Sequence, residues 1–296
     1  MLIQLKSSAA LKGTVFAIAT ALLFGTNTPL AKLFLGNVQP WMLAGLMYLG
    51  GGIGLAPFLL LRKKQLSTSA LQRKDWKSLL GSMLTGGLAA PVLLMMGLDH
   101  SPAAVVSLLL NFESVFTALV AWTIFREPWQ WRVLIGIAII SMGGILVSYT
   151  DSSGMNLSWA ALAVLGTCLA WAIDSNLTNQ FSARDPFQVA MFKSGGAGLV
   201  NVSLAAAMGQ SLPHWGLMVK IFGAGFISNG LTYCCFVMAL RNIGAARTGS
   251  FFALSPMVGV AIAIIFLDEP LTEILVVAAV LMAIGAILCA WEPSKT

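Results

Sequence analysis

Glu113 lies in the middle of LLLNFESVFTALVAWTIFREP (residues 108–128), a run otherwise almost entirely apolar and about as long as a membrane span. Ionisable groups are costly in hydrocarbon and face a protein interior or a wet path, so each is a candidate functional group. Two kinds of chemistry suit a carboxyl group at this depth. It can bind a cationic group of a passing molecule, or it can take up and release a proton during a transport cycle. The alternative is a structural carboxyl hydrogen-bonded to a neighbouring helix. Counted at 1.5 Å per residue from the start of the apolar stretch at residue 102, Glu113 is about 16 Å deep, near the bilayer middle. Thr117 shares its face, whereas Asn111 sits about 200° away round a continuous helix.

Asp174 and Lys193 form a second constellation. Both are expected near one depth, about 9 Å from the inner boundary at helical rise, in two apolar segments joined by a short loop. An ion pair between them would serve as a cytoplasmic-side gate or substrate clamp, or would fix helix register as a buried pair. Asn27 and Pro29 in GTNTPLAK predict a kink that frees carbonyls toward a cavity. Ser255-Pro256 predicts the same further on. Trp171, three residues before Asp174, and Tyr48 are deep enough to wall a cavity and stack on a planar or cationic molecule. Lys32 is expected to snorkel to the outer headgroups. Trp122, Trp129, Trp131, Trp159, Trp215 and Trp291 lie near segment ends, where an interfacial belt is expected.

The elements that carry these residues must be membrane helices. Of 296 residues, 58% are hydrophobic and 9% charged, and mean hydropathy is +0.86; a soluble domain carries about 25% charged residues. Measured against the ~20 residues a crossing needs, apolar runs fall at 13–35, 40–61, 78–98, 102–125, 132–149, 157–181, 187–208, 217–240, 245–267 and 272–291. The runs are continuous rather than alternating, which argues against a barrel. The first is too long for a signal-peptide core and is read as a span. With the N-terminus inside, Lys220 alone of the seventeen Lys and Arg falls outside, and Lys32 and Lys193 lie within spans. That asymmetry places both termini in the cytoplasm. The net charge of +6 is therefore a topology signal, not a nucleic-acid surface. Cys168, Cys234, Cys235 and Cys289 lie in apolar spans without CxxC or metal-ligand spacing, so neither a disulfide framework nor a metal or other cofactor is expected.

The two halves echo each other. A shift of 142 residues places Ala103-Ala104 on Ala245-Ala246 and Glu127-Pro128 on Glu269-Pro270. GTNTPLAK parallels IDSNLTNQ with Asn27 within one position of Asp174, and Pro40 falls opposite Pro186. Because each half holds an odd number of spans, the second enters the membrane in the opposite sense. The expected fold is an all-α integral membrane protein of ten transmembrane helices, arranged as two inverted five-helix repeats at 13–149 and 157–291. Inverted repeats are a recurring plan for secondary transporters with a midplane site.

The ten spans, the doubled E-P ends, GTNTPLAK and the P-x(4)-Gly/Met opening of the second span resemble the EamA-type transporters of the drug/metabolite transporter superfamily. The resemblance covers nearly the whole chain. It implies a central cavity lined by spans 1–4 and 6–9, peripheral spans 5 and 10, and export of amino acids, drugs or other small metabolites, with some members importing. No GxxxxGK[ST] is present, so no ATP-driven engine is encoded. The combined expectation is a secondary transporter in the inner membrane, working by alternating access on a small-molecule substrate, with protons as candidate coupling ion. Glu113 leads the site residues, followed by Asp174, Lys193, Asn27, Trp171, Tyr48 and Ser255. Two rival readings are an intramembrane enzyme built on Glu113 and Asp174, for which HExxH and GxSxG are lacking, and a flippase for a lipid-linked substrate.

Overall fold

The computed structural model describes residues 2–61, 70–123, 131–149, 158–181 and 184–290. Among them regular structure is helical, with no strand. Seven helices are long and apolar enough to cross a membrane. Three shorter apolar helices, Trp131–Leu146, Ser255–Phe266 and Glu273–Cys289, fall where spans five, nine and ten are expected. The Glu127-Pro128 pair, Trp129, Trp291 and residues 62–69 of the 62–77 polar loop lie outside the described residues.

Several expected spans are broken rather than continuous, and the breaks are informative. The first is α1 (Leu2–Gly25) followed by α2 (Asn27–Phe34), with Pro29 in the first turn of α2, where a missing N–H costs little. The second is the unbroken α3 (Pro40–Leu61). The third joins α4 (Trp76–Ser82) to α5 (Ala90–Asp99) through a π-helical turn, Met83–Ala89. The fourth is α6 (Ala103–Leu109) and α7 (Phe112–Thr123), interrupted at Leu110-Asn111. The angle expected between Asn111 and Glu113 assumed a continuous helix, and the helix is interrupted between Leu109 and Phe112. The chain turns there, and the Asn111 amide donates to Leu108 O at 2.9 Å instead of pointing across a continuous helix.

After α8 (Trp131–Tyr149), α9 (Trp159–Asn179) and α10 (Pro186–Ala207), the pattern recurs. A second π turn, Phe226–Leu231, separates α11 (Trp215–Gly225) from α12 (Thr232–Phe252). The rings of Phe236 and Phe252 are 5.5 Å apart, although sixteen residues of straight helix would span about 24 Å. The chain therefore doubles back within the stretch named α12. Then α13 (Ser255–Phe266) starts with Pro256 in its first turn, and α14 (Glu273–Ala290) follows. Ser255-Pro256 thus opens a new helix rather than kinking a continuous one.

Pairing between helices follows a two-fold plan. α3 packs on α10, α6 on α13, and α8 on α14, while α5 and α7 contact α9 much as α12 and α13 contact α1. Lipid supplies no hydrophobic drive for helix association, so close approach must supply the contact. At the centre of the α3–α10 pair, Gly52 packs on the Gly195 backbone with no room for a Cβ on Gly52. α8 and α14 contact mainly each other, and α14 leaves Val276, Val277, Val280 and Ile284 exposed. These are apolar faces suited to lipid.

Helix ends in such a setting need partners for their free N–H and C=O groups. Asp268 takes a positive φ of 53°, and Glu269 beside it accepts from Ala103 N at 2.6 Å and Ala104 N at 2.8 Å, closing the start of α6. Replacing Glu269 with Ala removes that cap and should lower stability by about 1–2 kcal/mol. The check is the melting temperature of the purified protein in detergent, with an unchanged value arguing that water replaces the cap at no cost. Lys32 does not snorkel to headgroups as expected. Its ammonium donates to Leu98 O at 2.6 Å and Ser101 O at 2.9 Å, because unpaired carbonyls at the end of α5 attract a cation more directly than lipid does. Trp122 is buried rather than interfacial, whereas Trp131, Trp159 and Trp215 are exposed.

Candidate functional site

The π turn of the third span sets the geometry. Pro91 has no N–H to give the carbonyls four and five residues back, those of Gly87 and Gly86. The helix widens there, with Ala90 N bonding to Thr85 O. Carbonyls freed within a membrane must be satisfied by neighbouring protein. Gly86 O accepts from Tyr48 Oη at 2.8 Å and from Trp171 Nε1 at 3.3 Å. Gly87 O accepts from Asn201 Nδ2 at 3.0 Å, whose own Oδ1 accepts from Trp41 Nε1 at 3.1 Å. Ala90 O accepts from Thr167 Oγ1 at 3.2 Å.

These donors come from α3, α9 and α10, and the α9 set has a plain helical logic. Thr167, Trp171, Asp174 and Thr178 recur at spacings of four, three and four, which puts them on one face. That face lies along the third span, meeting Ala90, then Gly86, then Ser82. Asp174 is the centre of the stripe. Its Oδ2 accepts from Lys193 Nζ at 2.5 Å, and its Oδ1 from Ser82 Oγ at 2.5 Å and Thr178 Oγ1 at 3.1 Å. The Lys193 ammonium also lies 5.9 Å from the Tyr233 ring centroid, within cation–π range. Asp174 and Lys193 are 6% and 9% exposed, so this is a buried pair whose lone pairs are largely taken up. Gly86 is required beside it, since a Cβ there would run into the Asp174 carboxylate.

A second polar node sits at the other π turn. Asn27 Nδ2 donates to Ser228 Oγ at 3.3 Å and to Asn229 Oδ1 at 3.0 Å. Thr232 Oγ1 donates to Ile227 O at 3.0 Å, covering a carbonyl of this turn. Ser255 is buried, and its backbone lies against Gly25, two residues before Asn27.

Glu113 bonds to neither node, but it lies close enough to the Asp174–Lys193 pair to feel both charges. It occupies the first turn of α7, just past the break, at the positive end of the helix dipole. Among the described residues its carboxylate has no hydrogen bond or ion pair, and it is half-buried. Cys168 approaches Leu109 O at 3.6 Å and Leu110 O at 3.9 Å, so this buried thiol covers carbonyls that the break releases.

The structure thus gathers Asp174, Lys193, Trp171 and Tyr48 into one cluster, puts Asn27 in another with Ser255 nearby, and sets Glu113 within electrostatic reach of the first cluster without a bond to it. Trp171 and Tyr48 use their polar tips on the widened helix, and the Trp171 ring packs edge-on against Phe24 at 5.7 Å. Sequence reasoning missed Ser82, Thr178, Asn201, Ser228 and Asn229. The available signals were Pro91 four residues after Gly87 and the α9 spacing. A groove of about 450 Å³ lined by residues such as Gly52, Trp76, Leu80, Phe192 and Gly195 is wholly apolar and offers no polar recognition. No group of His, Cys, Asp and Glu among the described residues could hold a metal ion.

Comparison with known proteins adds to this geometry. Residues 11–149 and 158–291 each match the EamA-like transporter family. An uncharacterized transporter of Methanothermobacter thermautotrophicus is 28% identical over 95% of this chain and 86% of its own length. A probable amino-acid metabolite efflux pump of Escherichia coli K12 is 26% identical over 93% of each chain. The threonine/homoserine exporter RhtA of the same organism is 29% identical over 59% of this chain and 58% of its own. A solved crystal structure superposes with a TM-score of 0.68 at 17% identity, covering 95% of this chain and 96% of that one, a likeness of fold.

Proposed function

Because the chain belongs to the EamA-like transporter family, we propose that it is a secondary transporter that exports small polar metabolites of the amino-acid class across the cell's inner membrane. The observation that carries this reading is an exchange of contacts between halves. Asn27 in the first helix of one half reaches Ser228 in the third helix of the other, and Asp174 in the matching helix lies against Gly86. A shift of 142 residues places Gly86 on Ser228, and places the first π turn on the second to within one residue. This supports ten spans in two inverted five-helix repeats, 13–149 and 157–291, with both termini cytoplasmic. Two equivalent gates then alternate, as inverted-repeat transporters do.

In this scheme the Asp174–Lys193 pair, flanked by Trp171 and Tyr48, closes the cytoplasmic side. A zwitterion satisfies such a gate on opening, because its ammonium and carboxylate replace the two partners. Asn27 and Ser255 belong to the opposite gate, and Glu113 at the α6–α7 break carries the coupling proton. The test is uptake of a labelled amino-acid panel by proteoliposomes, with and without an imposed proton gradient. Wild type is expected to concentrate at least one compound when the gradient is present. Glu113→Gln is expected to exchange that compound but not to concentrate it beyond equilibrium. If Glu113→Gln concentrates substrate as wild type does, Glu113 is not the coupling group; if nothing moves in wild type, the transport reading fails.

A further inference from the structure

The two π-turn nodes are equivalent by position but not by chemistry. At the Asp174 node the carboxylate oxygens and the ammonium have partners. At the Asn27 node two polar atoms do not: Asn27 Oδ1, an acceptor, and Asn229 Nδ2, a donor, are buried without a hydrogen-bond partner. Asn27 itself is 6% exposed. Buried polar groups are almost always paired, and a specific exception calls for an explanation. Ser107 Oγ is a third such atom. It lies on α6 against Gly259, a glycine whose missing side chain would also meet Gly25 O, so it belongs to the same neighbourhood.

An unmet acceptor and an unmet donor, held on amides that share one hydrogen bond, match a group that both donates and accepts. A hydroxyl or a primary carboxamide does this. A charged group does not suit the place, since among the described residues the node's bonds join only neutral side chains. We propose that Asn27, Ser228 and Asn229 form a side-chain subsite that selects substrates bearing a neutral hydroxyl or carboxamide, distinct from the Asp174–Lys193 pair. The inference rests on the amino-acid reading above and narrows it. A site built to bond a hydroxyl rejects the analogue lacking it far more strongly than an apolar pocket separates two hydrocarbons, because the site's own polar groups are left unpaired.

The experiment compares uptake of L-threonine and L-valine, which differ by a hydroxyl in place of a methyl, into proteoliposomes containing the full chain. Wild type is expected to favour threonine by roughly tenfold or more. Asn229→Leu, at a half-buried position, is expected to bring the ratio close to one by raising valine uptake and lowering threonine uptake. Asn229→Ser keeps a hydrogen-bonding group and is expected to retain most of the preference, which separates loss of the subsite from loss of the fold. Equal uptake of both compounds by wild type, or a ratio unchanged in Asn229→Leu, overturns the subsite and leaves the transport reading standing. Uptake of neither compound by wild type overturns the subsite and the amino-acid reading together.

Discussion

Replacing Lys193 with Met is expected to cost about 3–5 kcal/mol of stability, because it strands Asp174 as a buried charge without its counter-ion. Ser82 and Thr178 still donate to the carboxylate, but two neutral hydroxyls do not replace an ammonium. Adding Asp174→Asn removes the stranded charge and keeps an acceptor for both hydroxyls. The double variant should therefore recover most of the lost stability, as neutral replacements of buried pairs commonly do. Its transport should remain absent, since neither end of a zwitterion then finds its charge. Melting temperature and proteoliposome uptake, measured on both single variants and the double, decide the matter. A double variant that transports like wild type would make the pair a register device and shift the site toward Glu113 and Asn27.

The second large effect is expected from one methyl group. In Gly86→Ala the added carbon meets the Asp174 carboxylate, which is pinned by Lys193, Ser82 and Thr178 and cannot swing aside. Overpacking alone costs about 1–3 kcal/mol, and displacement of Asp174 adds part of the penalty expected for Lys193→Met. The proper comparison is Gly223→Ala in α11, where nothing lies within 4 Å of the added carbon. Alanine is the better helix former, so that variant should be neutral or more stable by up to about 1 kcal/mol. A melting temperature lowered in Gly86→Ala and unchanged or raised in Gly223→Ala identifies the collision. Equal behaviour of the two would mean that the third span yields.

The residues show why the sequence revealed some of this and hid the rest. Asp174 and Lys193 were legible as partners because each is a charge in an apolar run, at one depth, on helices joined by a short loop. The break before Glu113 was not, since Leu110-Asn111 contains neither Gly nor Pro and looks like ordinary helix. A π turn has no hydrophobic period of its own. It becomes visible only when the backbone is traced, and then Pro91 explains the first turn, whereas the second has no proline to announce it. Lys32 was misjudged because depth suggested lipid headgroups, and the carbonyls of Leu98 and Ser101 come from residues almost seventy positions away. Long-range acceptors of that kind leave no local trace.

The carbonyls of the first π turn also set a schedule for synthesis. Tyr48 precedes Gly86, but Trp171 follows it by 85 residues and Asn201 follows Gly87 by 114. At about 5–20 residues per second, the ribosome needs roughly 6 to 23 seconds to deliver Asn201 after Gly87 has been made. For that interval Gly87 has a free carbonyl in a segment apolar enough to enter the bilayer, with its eventual donor not yet in existence. The third span must therefore be held beside water or the insertion machinery until the second half arrives, and chain elongation becomes part of the folding path. Faster or slower elongation between residues 91 and 201 would then change how much protein reaches the folded state, without changing a single side chain.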